Sequence, residues 1–276
     1  MPGRRMSDRR YVRRFGPFER LQHVGLFVAF LGLAATGLPL LFSDAVWARP
    51  LAQLVGGFGV TSVLHRIFAT LLIAIFAIHV AWIGLRLFRG ERGLLWGATS
   101  LVPQPRDLVD LYHHVRWFLR RGEKPAFDRY AYWEKFDYWA VFWGMLIIGS
   151  SGLMLWFPEF FARFLPGWVF NVALLVHGEE ALLAVGFIVT IHFFNSHMRP
   201  GKFPMDMVMF TGVVPERDYA RERPLEYARL KFTGALESRL AGPPDATFVR
   251  RARLGGAVAI AVGLMLFLLI LVGFLQ

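Results

Sequence analysis

Five apolar stretches, each long enough to cross a bilayer, alternate with charged segments along this 276-residue chain. A span needs about 20 apolar residues at 1.5 Å rise per residue. The stretches fall at 22–42, 63–88, 137–157, 171–195 and 254–275. In a bilayer every backbone polar group must be paired within the protein, which leaves a helix as the form for such a segment. The expected fold is therefore all-α: an integral membrane helical bundle, with a four-helix core and a fifth C-terminal transmembrane helix. The expected division is 1–215 as the membrane domain, 216–253 as a cytosolic tract and 254–275 as the last span, with no separate soluble domain.

Charge orients these spans. The net charge of +11 would suit nucleic acid, but its distribution excludes that partner. Segments 1–20, 86–135 and 197–253 hold seven, ten and eleven Lys or Arg, whereas the loops 43–62 and 158–170 hold one each. This positive-inside pattern puts the N-terminus in the cytoplasm and the C-terminus on the periplasmic side of a bacterial inner membrane. The Arg-rich start and the absence of a small-residue cleavage site mark the first span as retained. Within 86–135, Asp107 to Arg121 reads as an amphipathic helix on the membrane surface, with Leu108, Leu111, Tyr112, Val115, Phe118 and Leu119 apolar. His113 and His114 are expected there in solvent.

The chain has no cysteine, so iron–sulfur clusters, thiolate zinc and covalently attached haem are excluded within it. Histidine carries the remaining metal chemistry. His23, His65, His79, His177 and His192 fall inside or at the ends of spans, and His197 lies just past the fourth. Ionisable residues at such depth are costly and mark function. His65 and His79 are fourteen apart, which in an α-helix leaves them on one face about 21 Å apart. His177 and His192 are fifteen apart, about 60° past four turns and about 22 Å apart. The second and fourth spans run the same way, so each depth presents one histidine from each. Bis-imidazole ligation of a haem needs that arrangement, because the macrocycle supplies four in-plane nitrogens. A bare metal site would need more ligands converging on one ion. Gly152, Gly178 and Gly186 would let a macrocycle approach the backbone.

Several motifs resemble one family. Arg20-Leu21-Gln22-His23 opens the first span and Thr36-Gly37-Leu38-Pro39 closes it. Leu64-His65-Arg66 opens the second, Leu174-Leu175-Val176-His177 lies early in the fourth, and Ile191-His192-Phe193-Phe194-Asn195-Ser196-His197 ends it. Together they resemble the membrane cytochrome b subunits of the formate dehydrogenase gamma-subunit and Ni,Fe-hydrogenase type, including those accompanying multihaem c-type cytochromes, over residues 13–215. The resemblance implies two b haems, a quinone or menaquinone as substrate at a cytoplasmic-side site, and an outer redox partner. That partner would be a multihaem c-type cytochrome or an iron–sulfur or dehydrogenase subunit. It implies His65 and His177 on the outer haem and His192 on the inner one.

The second inner ligand differs between templates. The formate dehydrogenase pattern points to His23, and the cytochrome b of quinol–cytochrome c reductases points to His79. A third haem on His23 and His197 is a further alternative. Tyr132, Glu134, Lys135 and Asp137, leading into the third span, are the expected quinone contacts. The competing readings are a stand-alone transmembrane b-type reductase and a proton-coupled transporter using the intramembrane histidines.

Overall fold

The computed structural model describes residues 10–276. Among them, five helices are long and apolar enough to span a membrane: α1 (Pro17–Leu41), α2 (Phe58–Phe88), α4 (Tyr132–Trp156), α5 (Trp168–Met198) and α8 (Ala246–Phe274). Between them lie α3 (Pro105–Phe118), α6 (Glu216–Glu222) and α7 (Pro224–Phe232), and strands β1 (Tyr11–Arg13), β2 (Val213–Pro215) and β3 (Leu240–Ala241). The all-α membrane fold read from the sequence is the fold observed, with this small sheet added.

The spanning helices begin three to eight residues before the apolar stretches do, and polar residues cap the starts of α1, α4 and α8. Glu19 accepts from the Gly16 amide at 2.9 Å, and Glu134 accepts from the Ala131 amide at 2.8 Å. Each carboxylate reaches back three residues to an otherwise unpaired donor. Asp245 accepts from the Phe248 amide at 2.7 Å to start α8. Tyr132, Glu134 and Lys135 consequently belong to the first turn of α4 rather than to a preceding run.

Two compact units divide the chain. The first comprises the described residues up to Arg20 with Val80–Ala140 and Met207–Arg250. Its sheet has the order β2-β1-β3, antiparallel throughout, with Val12 opposite Val214 and Leu240. Val12, Val214, Tyr219, Leu230 and Leu236 form its core. Buried ion pairs surround that core. Arg14 and Arg223 meet Glu134 at 2.9 and 2.7 Å, and Arg129 meets Glu226 at 3.0 Å. Burial pushes the Glu226 carboxyl up, but Arg129, Tyr219 and Arg14 outweigh it and hold the group below the usual carboxylate range. Thus the segments expected as polar connections assemble a core of their own.

His114 departs from expectation. It is buried among Trp117, Phe118, Phe127 and Trp133, and its Nδ1 is 3.0 Å from the Tyr132 hydroxyl. The cause is nonlocal: an aromatic group from 127–133 covers the α3 face that carries it.

The second unit holds Leu21–His79, Val141–Asp206 and Arg251–Gln276. Glycines set its helix contacts. Gly25 faces Ile75, Gly32 faces Phe68 and Gly37 faces His65, so α1 and α2 are antiparallel with a fixed register. That register places His79 at the level of the first turns of α1. Gly263 meets the Phe193 ring and Gly186 meets Phe267, which sets α8 antiparallel to α5. Gly273 meets Phe42, which sets α8 parallel to α1. Ala34, Leu38, Val185, Val189, Phe193, Leu266 and Ile270 form the shared core of α1, α5 and α8. The fifth span is therefore an integral wall of this unit.

Candidate haem site

The second unit brings four of the sequence-predicted histidines into two pairs across helices. The His65 ring on α2 and the His177 ring on α5 have centroids 6.3 Å apart, with planes at 80°. The His23 ring on α1 and the His192 ring on α5 are 6.5 Å apart, with planes at 38°. His197 stands beside His192 at 6.4 Å on the same helix. The His79 ring is 6.2 Å from Phe142 on α4.

A departure from α geometry aligns the α5 histidines. Ile188–His192 is a π segment, which sequence periodicity does not reveal. A π segment accommodates about one extra residue without adding rotation. Fifteen residues then behave as about fourteen, so His177 and His192 repeat the spacing of His65 and His79, about 21 Å along the axis.

The tautomers of the first pair are set by hydrogen bonding. Thr36 on α1 donates its hydroxyl proton to the Gly32 carbonyl at 2.7 Å. Its oxygen is then left to accept from His65 Nδ1–H at 3.0 Å. His177 Nδ1–H donates to the Ile148 carbonyl at 3.0 Å, an acceptor that has no proton to give. Ile148 lies in a second π segment, Met145–Gly149, where the regular α ladder is interrupted and carbonyls are free for other donors. Both Nε2 atoms therefore keep their lone pairs. Among the described residues no three His, Cys, Asp or Glu side chains converge as a metal site.

Other small and polar residues of these helices have structural partners. Gly152 faces the His177 ring so closely that a Cβ there would stand 2.9 Å from Cε1, too near to fit without a shift. Gly178 instead meets Leu41, and Gly186 meets Phe267, so both serve helix packing. Glu180 accepts from the Trp143 indole at 3.3 Å. The Arg66 guanidinium lies over the Trp156 ring. Tyr132, Glu134, Lys135 and Asp137 all belong to the first unit. There Tyr132 bonds His114, Glu134 binds two arginines, and buried Lys135 pairs with Asp107 at 2.9 Å. What sequence reasoning missed is the Thr36 hydroxyl and the Ile148 carbonyl. Thr36 was visible only as part of a helix-end motif, and a backbone carbonyl carries no sequence signal.

Comparison with known proteins identifies the family. The sequence model of the family described as prokaryotic cytochrome b561 matches residues 14–198, which contain every histidine named above. The cytochrome b556(Fdn) subunit of the nitrate-inducible formate dehydrogenase of Escherichia coli K12 is 22% identical over 228 residues. That alignment covers 82% of this chain and 94% of the relative. The corresponding subunits of Escherichia coli O157:H7 and Shigella flexneri align equally well, at 22% identity over the same shares. The chain is a multi-pass member of the prokaryotic cytochrome b561 family, membrane electron-transfer proteins whose prosthetic group is haem b.

Proposed function

We propose that this chain carries two b haems, the outer held by His65 and His177 and the inner by His23 and His192. Together they conduct electrons across the membrane between a quinone pool and a redox partner on the outer side. The observation that carries this reading is the separation of the cross-helix imidazoles. An imidazole nitrogen sits about 2 Å from a ligated metal, and ring bonds of about 1.35 Å put each ring centre about 1.15 Å further back. Two rings sharing one iron then lie about 6.3 Å apart, against 6.3 and 6.5 Å here. The haem supplies reversible one-electron storage when bound.

The chain's own residues supply the rest. Nδ1 contacts from Thr36 and Ile148 orient the outer pair. For the inner pair, His23 approaches from a different helix and so can face His192 from the opposite side. His197 projects from the helix that carries His192 and lies beside it, which suits a flanking role rather than a share in holding the haem. His79 is the alternative inner ligand, at a depth close to that of His23.

On the quinone side, Tyr132 and Asp137 stay in the reading as contacts, whereas Glu134 and Lys135 also hold their unit together through ion pairs. The cationic segments set the orientation, N-terminus inside. By analogy with the formate dehydrogenase relative, the chain works as one subunit of an oxidoreductase complex.

Haem b per chain, measured by pyridine haemochrome on the purified protein and four variants, tests the assignment. Two haems in the parent, falling to one in His65→Ala, His177→Ala and His23→Ala but unchanged in His79→Ala, is the expected result. Loss of a haem in His79→Ala with retention in His23→Ala would transfer the inner iron to His79. Three haems would bring in His197, and a colourless protein would overturn the reading.

A further inference from the structure

We propose that two hydroxyl–glycine dipeptides, Thr36-Gly37 on α1 and Ser151-Gly152 on α4, are positioning devices that hold His65 and His177 from behind. This inference rests on the reading above that these two histidines are the axial ligands of the outer haem.

The two devices repeat in place and chemistry. In each, a helix precedes the histidine helix in the chain and lies antiparallel to it. In each, a hydroxyl residue 29 or 26 positions before the histidine is buried and reaches Nδ1. Thr36 Oγ1 is 3.0 Å from His65 Nδ1, and Ser151 Oγ is 3.3 Å from His177 Nδ1. Each hydroxyl proton is already spent on its own helix, Thr36 on Gly32 at 2.7 Å and Ser151 on Ile147 at 2.7 Å. Each oxygen can therefore only accept from its histidine. The glycine that follows presents no side chain to the ring. A Cβ at Gly37 would stand 3.0 Å from His65 Cε1, and one at Gly152 would stand 2.9 Å from His177 Cε1.

The physics of the bilayer explains why such devices are needed. A lone Nδ1–H in hydrocarbon has no water to bond, and a ring free to rotate would not keep its Nε2 aimed at one point. The hydroxyl fixes the tautomer and one edge of the ring, and the glycine lets the helix close against the other. The two sides are unequal. Each histidine also has a backbone carbonyl, Leu33 for His65 and Ile148 for His177, but the Thr36 oxygen is 3.0 Å from its Nδ1, whereas the Ser151 oxygen is 3.3 Å from its own and is outreached by Ile148 at 3.0 Å. An acceptor on Nδ1–H raises ligand basicity and favours ferric iron, which lowers the potential. Thr36 therefore contributes more to its ligand than Ser151 does to its own.

The test uses full-length protein in detergent or nanodiscs, with three readouts: haem per chain, redox titration of each haem, and low-spin EPR. Thr36→Val should keep two haems, raise the potential of one, and change that haem's EPR signal while the other's stays put. Thr36→Ser should restore both. Ser151→Ala should shift the same haem less, because the contact it removes is the longer one, 3.3 against 3.0 Å, and the closer Ile148 carbonyl remains. Gly152→Ala should lower its occupancy or alter its EPR signal. If Thr36→Val abolishes both haems, Thr36→Ser decides: recovery supports positioning and continued loss overturns it. Unchanged potential and EPR in Thr36→Val at full haem content would also overturn it. His65→Ala separates the two readings. If His65→Ala loses one haem while Thr36→Val has no effect, only the positioning inference fails. Retention of both haems in His65→Ala removes the ligand assignment itself.

Discussion

Glu226 is completely buried, and its Oε1 lies 3.0 Å from the Arg129 guanidinium, 97 positions earlier in the chain. Arg239 approaches the same oxygen at 3.4 Å, and Arg129 also donates to the Arg14 carbonyl at 2.8 Å. Removing one partner of such a pair strands the other charge without water. Glu226→Gln should destabilise the first unit by about 3–5 kcal/mol, seen as a fall in its denaturation midpoint with the haem spectra as the control for the second unit.

The same carboxylate makes stability depend on pH. Its folded-state pKa lies below the unfolded value, so the stabilisation is complete above the ordinary carboxylate range. It is lost as pH falls through the folded-state value. Midpoints measured from pH 7 down should fall below about pH 4, and Glu226→Gln should flatten that fall.

The amphipathic helix α3 offers a different test. Leu108, Leu111, Tyr112, Val115, Phe118 and Leu119 occupy an arc of about 120° and are all exposed. The neighbouring arc, with Asp107 and His114, is tied to Lys135 and Tyr132. Arg116, Arg120 and Arg121 lie at the end of the helix, placed to meet anionic headgroups. The chain lacks cysteine, so single cysteines at Leu108, Val115 and His113 can carry a polarity-sensitive dye without background. The first two should be blue-shifted and quenched by lipid-borne nitroxide, and the third should behave as in water.

Helix α8 should prove necessary for the fold of the second unit. A side chain at Gly263 would collide with the Phe193 ring, already 2.9 Å from an added Cβ. Gly263→Leu should cost about 1–3 kcal/mol as overpacking. Gly255→Leu, where nothing lies within 4 Å of an added Cβ, should leave the melting temperature near that of the parent.

The proposed orientation is open to reporter fusions. A periplasm-dependent phosphatase should be active when fused after Gln276 and inactive when fused within 216–245. The reverse pattern would invert the assignment of inner and outer haems.

Much of this was legible in the sequence because it is local or periodic. Length and hydropathy set the five spans, and the fourteen- and fifteen-residue histidine spacings set two levels. The rest depends on contacts between distant positions or on the backbone. The π segments at Met145–Gly149 and Ile188–His192 leave no compositional mark, yet they release the Ile148 carbonyl and bring His192 into line. His114 looked solvated because its own helix is amphipathic, and the aromatic residues that cover it come from 127–133. The proposal of His23 as the inner ligand draws on its ring lying 6.5 Å from that of His192, a matter of register between α1 and α5 that one-dimensional spacing does not hold.

The central strand of the small sheet has a consequence for biosynthesis. β1 begins at Tyr11, but its partners are Val213–Pro215 and Leu240–Ala241. It must therefore wait until some two hundred further residues have left the ribosome before either edge can pair. By then four of the five spans have been delivered to the membrane, and the last begins at Ala246, five residues after β3 ends. Closure of the sheet is thus timed to follow insertion of the histidine-bearing helices. A chain truncated before β2 would present both edges of β1 unpaired, the kind of exposed strand that quality-control proteases and aggregation act upon.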